Sequence, residues 1–249
     1  MPRVIAVTYV RMGSERLPGK MLREIADKPL LGHLIARMRR IPQIDGMVIA
    51  TSIRPENDAI DRLCETEGVS CFRGSEEDVL GRVLGALERE RADIGVIAYG
   101  DGPLIDPSVM NECMEEYLRD PTFDLIGNDM KATYPSGMYT ETFSVKALRT
   151  AAEQTSDPAI REHATLFLRQ HPDLFRIRNI EAAGPLKRPD IHLDVDTEQD
   201  LKVITTIARH FAPRSDFSLQ EIIAFLDKHP HIATLNADVP RRWKQYQKK

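Results

Sequence analysis

Cysteine is scarce in this 249-residue chain, at three residues, and aromatic residues make up only 6%. Cys64, Cys71 and Cys113 are widely spaced among apolar neighbours, which offers neither a metal-binding pair nor a disulfide framework and suits buried thiols in a reducing compartment. No stretch reaches the roughly 18 to 20 apolar residues of a membrane span, and the opening run MPRVIAVTYV is too short for a secretion signal. The expectation is a soluble, cytoplasmic protein. A large charge excess is missing too: 34 Lys and Arg against 38 Asp and Glu give a formal net charge of −4. That balance draws neither nucleic acid nor an anionic membrane to the molecule as a whole, so a polyanionic ligand must meet a local cluster of cations.

Familiar nucleotide and metal signatures are also absent. A Walker-type loop needs a glycine, four residues, then Gly-Lys and a Ser or Thr for the metal. Here five residues separate Gly13 from Gly19, and Met21 stands where the hydroxyl belongs. The loop lacks the GxGxxG fingerprint of dinucleotide binding, and no histidine has the HExxH or Cys/His spacing of a zinc site.

What the chain does have is 42% apolar residues, enough for a full core in one large domain, or one domain with an appendage. Short β-branched runs, VIAVTYV (4–10), MVIATS (47–52), VSCF (69–72) and VIAYG (96–100), alternate with amphipathic segments at 30–41, 59–68 and 79–92. The alternation predicts right-handed crossovers and a mostly parallel, doubly wound α/β sheet covered on both faces. Beyond residue 121 it fails. There FDLIGNDMKATYPSGMYTETFSV reads as strands or a hairpin arm and REHATLFLRQHP as a helix. TEQDLKVITTIARHF and SLQEIIAFLDKHP read as C-terminal helices before the basic tail RRWKQYQKK.

Ligands of such sheets bind outside the carboxyl ends of the strands. RMGSERLPGK (11–20), GDGPLID (100–106) and DVDTEQDL (194–201, after the run IHL) all follow apolar runs, so they are expected to converge at one sheet edge. The first is the local cation cluster that the overall charge requires. Gly13 and Gly19 let main-chain N–H groups approach a ligand, and Arg11, Arg16 and Lys20 suit an exposed polyphosphate. A solvated loop with surface charges has the same composition.

Together with FRGSEEDVLGR (72–82), YPSG (134–137) and REH (161–163), these stretches resemble the cytidylyltransferases that make CMP-activated acids. The likeness is strongest to those of spore-coat polysaccharide biosynthesis, with CMP-sialate and CMP-deoxy-octulosonate synthetases more distant, and it runs in order from about residue 3 to 239. It implies a Rossmann-like nucleotidyltransferase fold over residues 1–212, with a protruding arm within about 130–165 that helps form a homodimer. A C-terminal helical extension would span 213–249. The implied reaction transfers a cytidylyl group from CTP to an acidic acceptor and releases pyrophosphate, with Mg2+ required. The acceptor would be a sugar acid of the ulosonate type, or a phosphonate or phosphate; neither nucleic acid nor membrane is an expected partner.

The resemblance also implies roles. Arg11, Arg16 and Lys20 match phosphate-gripping, catalytic positions, and Gly13 and Ser14 adjoin the same substrate. Asp101, catalytic as well, and Asp196 match the magnesium positions, with Asp194 a weaker third ligand. Oxygen donors from separate strand ends fit a hard cation. Aspartates in such places also serve as helix N-caps. Arg73 and Ser75 fall near the cytosine, whereas Arg82 reads equally well as an exposed helix cation.

Relatives carry YPRG followed by Asp-Val-Glu; here Ser136 and Tyr139 replace the arginine and aspartate, and Glu141 is retained. Tyr139 and Glu141 are therefore candidate acceptor contacts, Glu141 as the general base for a hydroxyl nucleophile. An anionic phosphonate or phosphate would need no base. Trp243 reads as a packing anchor or an exposed end. Two other functions share parts of the pattern: a nucleotide-sugar glycosyltransferase using Asp194-Val195-Asp196, and a non-catalytic nucleotide-binding relative. The cationic loop argues against the first, and the presence of Lys20 and Asp101 against the second.

Overall fold

The segment VIAVTY has no side that favours water, and it takes the middle of a sheet. In a computed structural model that describes residues 1–241, it forms β1 (Val4–Tyr9). The rest of the basic tail, with Trp243, lies outside the described residues. Ile5 and Val7 join one core cluster while Val4 and Ala6 join another, as the period-2 alternation of a strand requires. A strand buried on both faces needs a layer of helices on each.

The strands that follow are β2 (Glu24–Ile25), β3 (Lys28–Pro29), β4 (Gly46–Ser52), β5 (Ser70–Gly74), β6 (Ile94–Ala98), β7 (Leu125–Gly127), β8 (Thr140–Ser144) and β9 (Ile177–Asn179). β2 and β3 form a small separate ribbon, and the others one sheet in the order β5-β4-β1-β6-β8-β7-β9. Within the seven-stranded sheet the pairs β4–β5, β1–β4, β1–β6 and β7–β9 are parallel and β8 runs against both its neighbours.

The α-helices among the described residues are α1 (Leu30–Met38), α2 (Asp58–Glu67), α3 (Val79–Arg89), α4 (Pro107–Arg119), α5 (Val145–Gln154), α6 (Pro158–Arg161), α7 (Leu166–Gln170), α8 (Glu198–Phe211), α9 (Leu219–Lys228) and α10 (Pro230–Ala233). α3, α5 and α7 cover the face of Ile5 and Val7, and α1, α4, α8 and α9 the face of Val4 and Ala6. Phe217, Leu219, Ile222 and Phe225 of the C-terminal region belong to the same cluster as Val4, so α9 is continuous with the main core. None of the helices among the described residues is long and apolar enough to cross a membrane.

The first half follows the sequence expectation closely. Strand β6 begins at Ile94, two residues before the run VIAYG, and ends at Ala98, because Tyr99 and Gly100 leave the ladder for the loop. The second half differs. Most of the segment expected to protrude stays with the sheet: β8 is inserted between β6 and β7, with Ala98 opposite Thr140 and Ile97 opposite Glu141. Thr133, Tyr134 and Ser136 are buried as well. The helix expected over REHATLFLRQHP is broken between α6 and α7, and Thr165 at the break donates its hydroxyl to Glu141 at 2.7 Å. The run IHL makes only an isolated bridge, Ser136 with His192.

From β1 the chain moves to β4 and β5 on one side and returns to β6 on the other. That reversal opens a crevice beyond the carboxyl ends of β1 and β6, where open α/β sheets bind ligands.

Candidate functional site

The loop after β1 is closed by Gly19, whose N–H bonds the Met12 carbonyl at 3.2 Å and whose φ of +68° lies in the left-handed region that glycine tolerates. Asn57, fully buried, holds the other end by accepting from the Met12 N–H at 2.8 Å. Around these anchors Arg11, Ser14, Arg16 and Lys20 line a cavity of about 540 Å³. Gly13 lines it too, and no protein atom lies within 4 Å of the position a Cβ there would take. Packing does not demand this glycine; its small size leaves the main chain open to the cavity.

Asp101 follows β6, while Asp194 and Asp196 alternate about the buried Val195 and so face the same way. The Val195 N–H bonds the Asp101 carbonyl at 2.8 Å and the Leu193 N–H bonds the Ser136 carbonyl at 3.0 Å, which ties three distant stretches together by main chain. Glycines permit this approach. A Cβ on Gly102 would lie 2.6 Å from the Gly137 carbonyl oxygen, and one on Gly137, at φ +83°, would lie 2.5 Å from the Leu193 carbonyl carbon.

The three aspartates each offer an oxygen within 4.8 Å of the others. Lys20 Nζ reaches Asp196 Oδ1 at 3.0 Å and the Val195 carbonyl at 2.9 Å, and Arg16 Nη2 reaches Asp196 Oδ2 at 2.5 Å. Asp194 Oδ1 accepts from Ser136 Oγ, while its Oδ2 is buried without a hydrogen-bond partner. Burial pushes the Asp101 carboxyl up to about 7; Lys20 opposes the rise, and Asp196 and Asp194 add to it. An all-oxygen donor set, mutual repulsion and an orphaned buried oxygen suit a hard divalent cation such as magnesium. Capping accounts for neither outer aspartate. The N-cap of α8 is Thr197, in a reciprocal capping box with Asp200, and that of α4 is Asp106.

The opposite wall is built on β8 and the turn after β7. Arg169 lines the cavity, with Nε on Glu141 Oε1 at 2.7 Å and Nη2 on Asp129 Oδ2 at 2.5 Å and on the Tyr99 hydroxyl at 3.2 Å. Tyr139 faces the cavity as well, and burial raises its phenol pKa.

The structure thus brings together Arg11, Gly13, Ser14, Arg16 and Lys20 with Asp101, Tyr139, Asp194 and Asp196. Three candidates stand elsewhere. Glu141 is fully buried, and its two oxygens are taken by Arg169 and Thr165. It is held in a buried network and does not line the cavity. Arg73 turns to the Ser52 and Arg54 carbonyls and to Asp58, at 3.2, 2.9 and 2.6 Å, and Ser75 Oγ accepts the Glu77 and Asp78 N–H groups ahead of α3. Arg82 is no exposed helix cation: it is 3% exposed, binds the Ser75 and Glu76 carbonyls, and lines the cavity.

Sequence reasoning missed Arg169 and Arg241. Arg169 has the local context of any helix cation, and Arg241 opens a basic tail, so neither carries a local signal. Yet the Arg241 side chain is wholly buried between Asp194 and Asp200.

Comparison with known proteins agrees with this geometry. A family model described as Cytidylyltransferase matches residues 5–236. The spore coat polysaccharide biosynthesis protein SpsF of Bacillus subtilis is 32% identical over 243 residues, covering 94% of this chain and 98% of that one. A cytidylyltransferase structure from Leptospira borgpetersenii superposes with a TM-score of 0.86 at 25% identity, over 93% of this chain and 95% of the other. CMP:2-keto-3-deoxy-manno-octonic acid synthetase, solved with CTP, shares the fold at a TM-score of 0.66 and 18% identity, over 84% and 99% of the two chains. Matched over nearly its whole length, the chain belongs to the cytidylyltransferase family.

Proposed function

We propose that this protein transfers the cytidylyl group of CTP to an acidic acceptor, a sugar acid or a phosphonate, and releases pyrophosphate, with magnesium held by Asp101, Asp194 and Asp196. The observation that carries the reading is the meeting of Arg16 and Lys20 with Asp196 beside Asp101 and Asp194, cations and carboxylates from opposite ends of the chain in one cavity. The CTP held by the octulosonate synthetase and the polysaccharide role of SpsF support the choice of nucleotide and acceptor class.

In this reading Arg16 and Lys20 exchange the Asp196 carboxylate for oxygens of the polyphosphate. Attack at the α-phosphorus moves charge onto the departing pyrophosphate, so cations fixed there stabilise the transition state more than the ground state. Ser14 donates a further hydrogen bond, and the open main chain at Gly13 lets the phosphates lie close. The metal, when bound, supplies positive charge at the reacting phosphate. Tyr139 and Arg169 shape the acceptor side.

Pyrophosphate release tests the proposal. With magnesium, CTP and a panel of ulosonates and phosphonates, at least one acid is expected to drive release, and CTP to exceed ATP, GTP and UTP. Release from another nucleotide with neutral sugars only would refute it.

A further inference from the structure

We propose that Arg241 is a positioning residue of the metal centre, fixing Asp194 so that its free carboxylate oxygen turns to the cation shared with Asp101 and Asp196. This rests on the metal reading above and extends it to a segment that reading does not use.

Arg241 comes from the far end of the described chain, yet its side chain is 0% exposed. Its Nη2 donates to Asp200 Oδ1 at 2.7 Å and to the Asn236 carbonyl at 3.2 Å. Its Nη1 pairs with Asp194 Oδ1 at 3.3 Å, an ion pair that lacks hydrogen-bond alignment. A buried guanidinium without a carboxylate is costly, and here one guanidinium spans two. Ser136 Oγ, which is also bonded to His192 Nδ1 at 3.0 Å, holds the same Asp194 oxygen. Two groups thus fix Oδ1 and leave Oδ2, sealed from solvent and unpartnered, as the ligand atom.

The same segment touches the phosphate loop. Arg16 Nη1 donates to the Pro240 carbonyl at 2.9 Å, so residues 240 and 241 contact both the cation that grips phosphate and the carboxylate that holds metal. Asn236 fastens the segment, donating to Asp200 Oδ1 at 2.8 Å and to the His192 carbonyl at 3.2 Å. Outer groups that orient metal ligands typically change metal affinity by about 10- to 100-fold when removed.

The experiment measures binding of Mn2+ alone, without nucleotide, by calorimetry. Arg241→Lys keeps the positive charge but cannot bridge Asp194, Asp200 and the Asn236 carbonyl together. It is expected to weaken Mn2+ about 10-fold or more. In an Asp194→Asn background the same change is expected to have no further effect, since Arg241 acts through Asp194. Arg241→Ala, which leaves two carboxylates buried without their partner, serves as a check only if its thermal melt remains cooperative. Equal Mn2+ affinity in wild type and Arg241→Lys, or equal losses in both backgrounds, overturns the positioning role and leaves the metal site standing. Failure of the wild type to bind Mn2+ overturns the metal reading and this proposal with it.

Discussion

At the scale of single residues, the proposed chemistry turns on Lys20 and Asp196. The ammonium lies 3.0 Å from the carboxylate, and the proposed transfer requires it to take polyphosphate oxygens as partners. Lys20→Ala is therefore expected to lower turnover by about 10² to 10³, the range for one preorganised charge contact. Its thermal melt should stay near wild type. Unchanged turnover in a folded variant removes Lys20 from the mechanism. Glu141 gives the contrasting case. Burial pushes its carboxyl up while Arg169 pulls it down, and neither of its oxygens is left for a substrate. Glu141→Gln is expected to cost about 3–5 kcal/mol of stability, the scale of breaking a buried pair, and to leave the acidic limb of the pH–rate profile in place. Loss of that limb with a native melt would restore Glu141 as a base. The meeting of Asp101 and Asp196 in one cavity was legible from the family resemblance and from their stretches following apolar runs. The seclusion of Glu141 was not, since TYPSGMYTET does not reveal that Thr140–Ser144 lies inside the sheet with both faces covered.

At the scale of elements, α8 joins stability to the site. Thr197 and Asp200 cap it reciprocally, and Asp200 also receives Arg241 and Asn236. Burial alone would push the Asp200 carboxyl up; Arg241, Thr197 and Asn236 outweigh it and hold it below its ordinary 3.8. The unfolded chain then binds the proton more tightly, so this group's stabilisation is full above about pH 4 and fades as pH falls through the depressed native value. Asp200→Asn should lower the melting temperature at pH 7 and flatten the acid-side decline, as read by melts between pH 3 and 7; an unchanged pH slope would contradict it. The elements themselves were unevenly legible. β1, β4 and β6 are apolar runs whose pattern names them, and β5 (SCFRG) keeps only Cys71 and Phe72 of one. β7 has three residues, and β8 carries Thr and Glu in place of apolar residues; hydrogen bonds and an ion pair satisfy Thr140 and Glu141, while the buried Thr142 hydroxyl has no partner.

At the scale of the whole molecule, the sheet order sets the order of the chemistry. The cationic loop follows β1, Asp101 follows β6, and the Arg169 network stands beside β8 and β7, so in the proposed reading charge for a leaving group, metal ligands and an acceptor wall succeed one another along one edge. Convergence of the three motifs was predictable from the rule for strand ends. The contribution of residues 236–241 was not, because only tertiary packing brings them there. Gly137 is where the arrangement is tightest: Gly137→Ala places a Cβ 2.5 Å from main chain and should cost about 1–3 kcal/mol as overpacking, with Mn2+ binding weakened alongside the melt. A native melt with intact binding would show that the segments do not depend on this approach.

The most direct measurement follows the phosphorus atoms. With CTP labelled at the α-phosphate and an acid that supports turnover, the label is expected on the acceptor as its CMP adduct, with unlabelled pyrophosphate released in equal amount. Label appearing in the released inorganic product, or staying in CTP with every acid while Mn2+ and CTP both bind, would contradict cytidylyl transfer at this site.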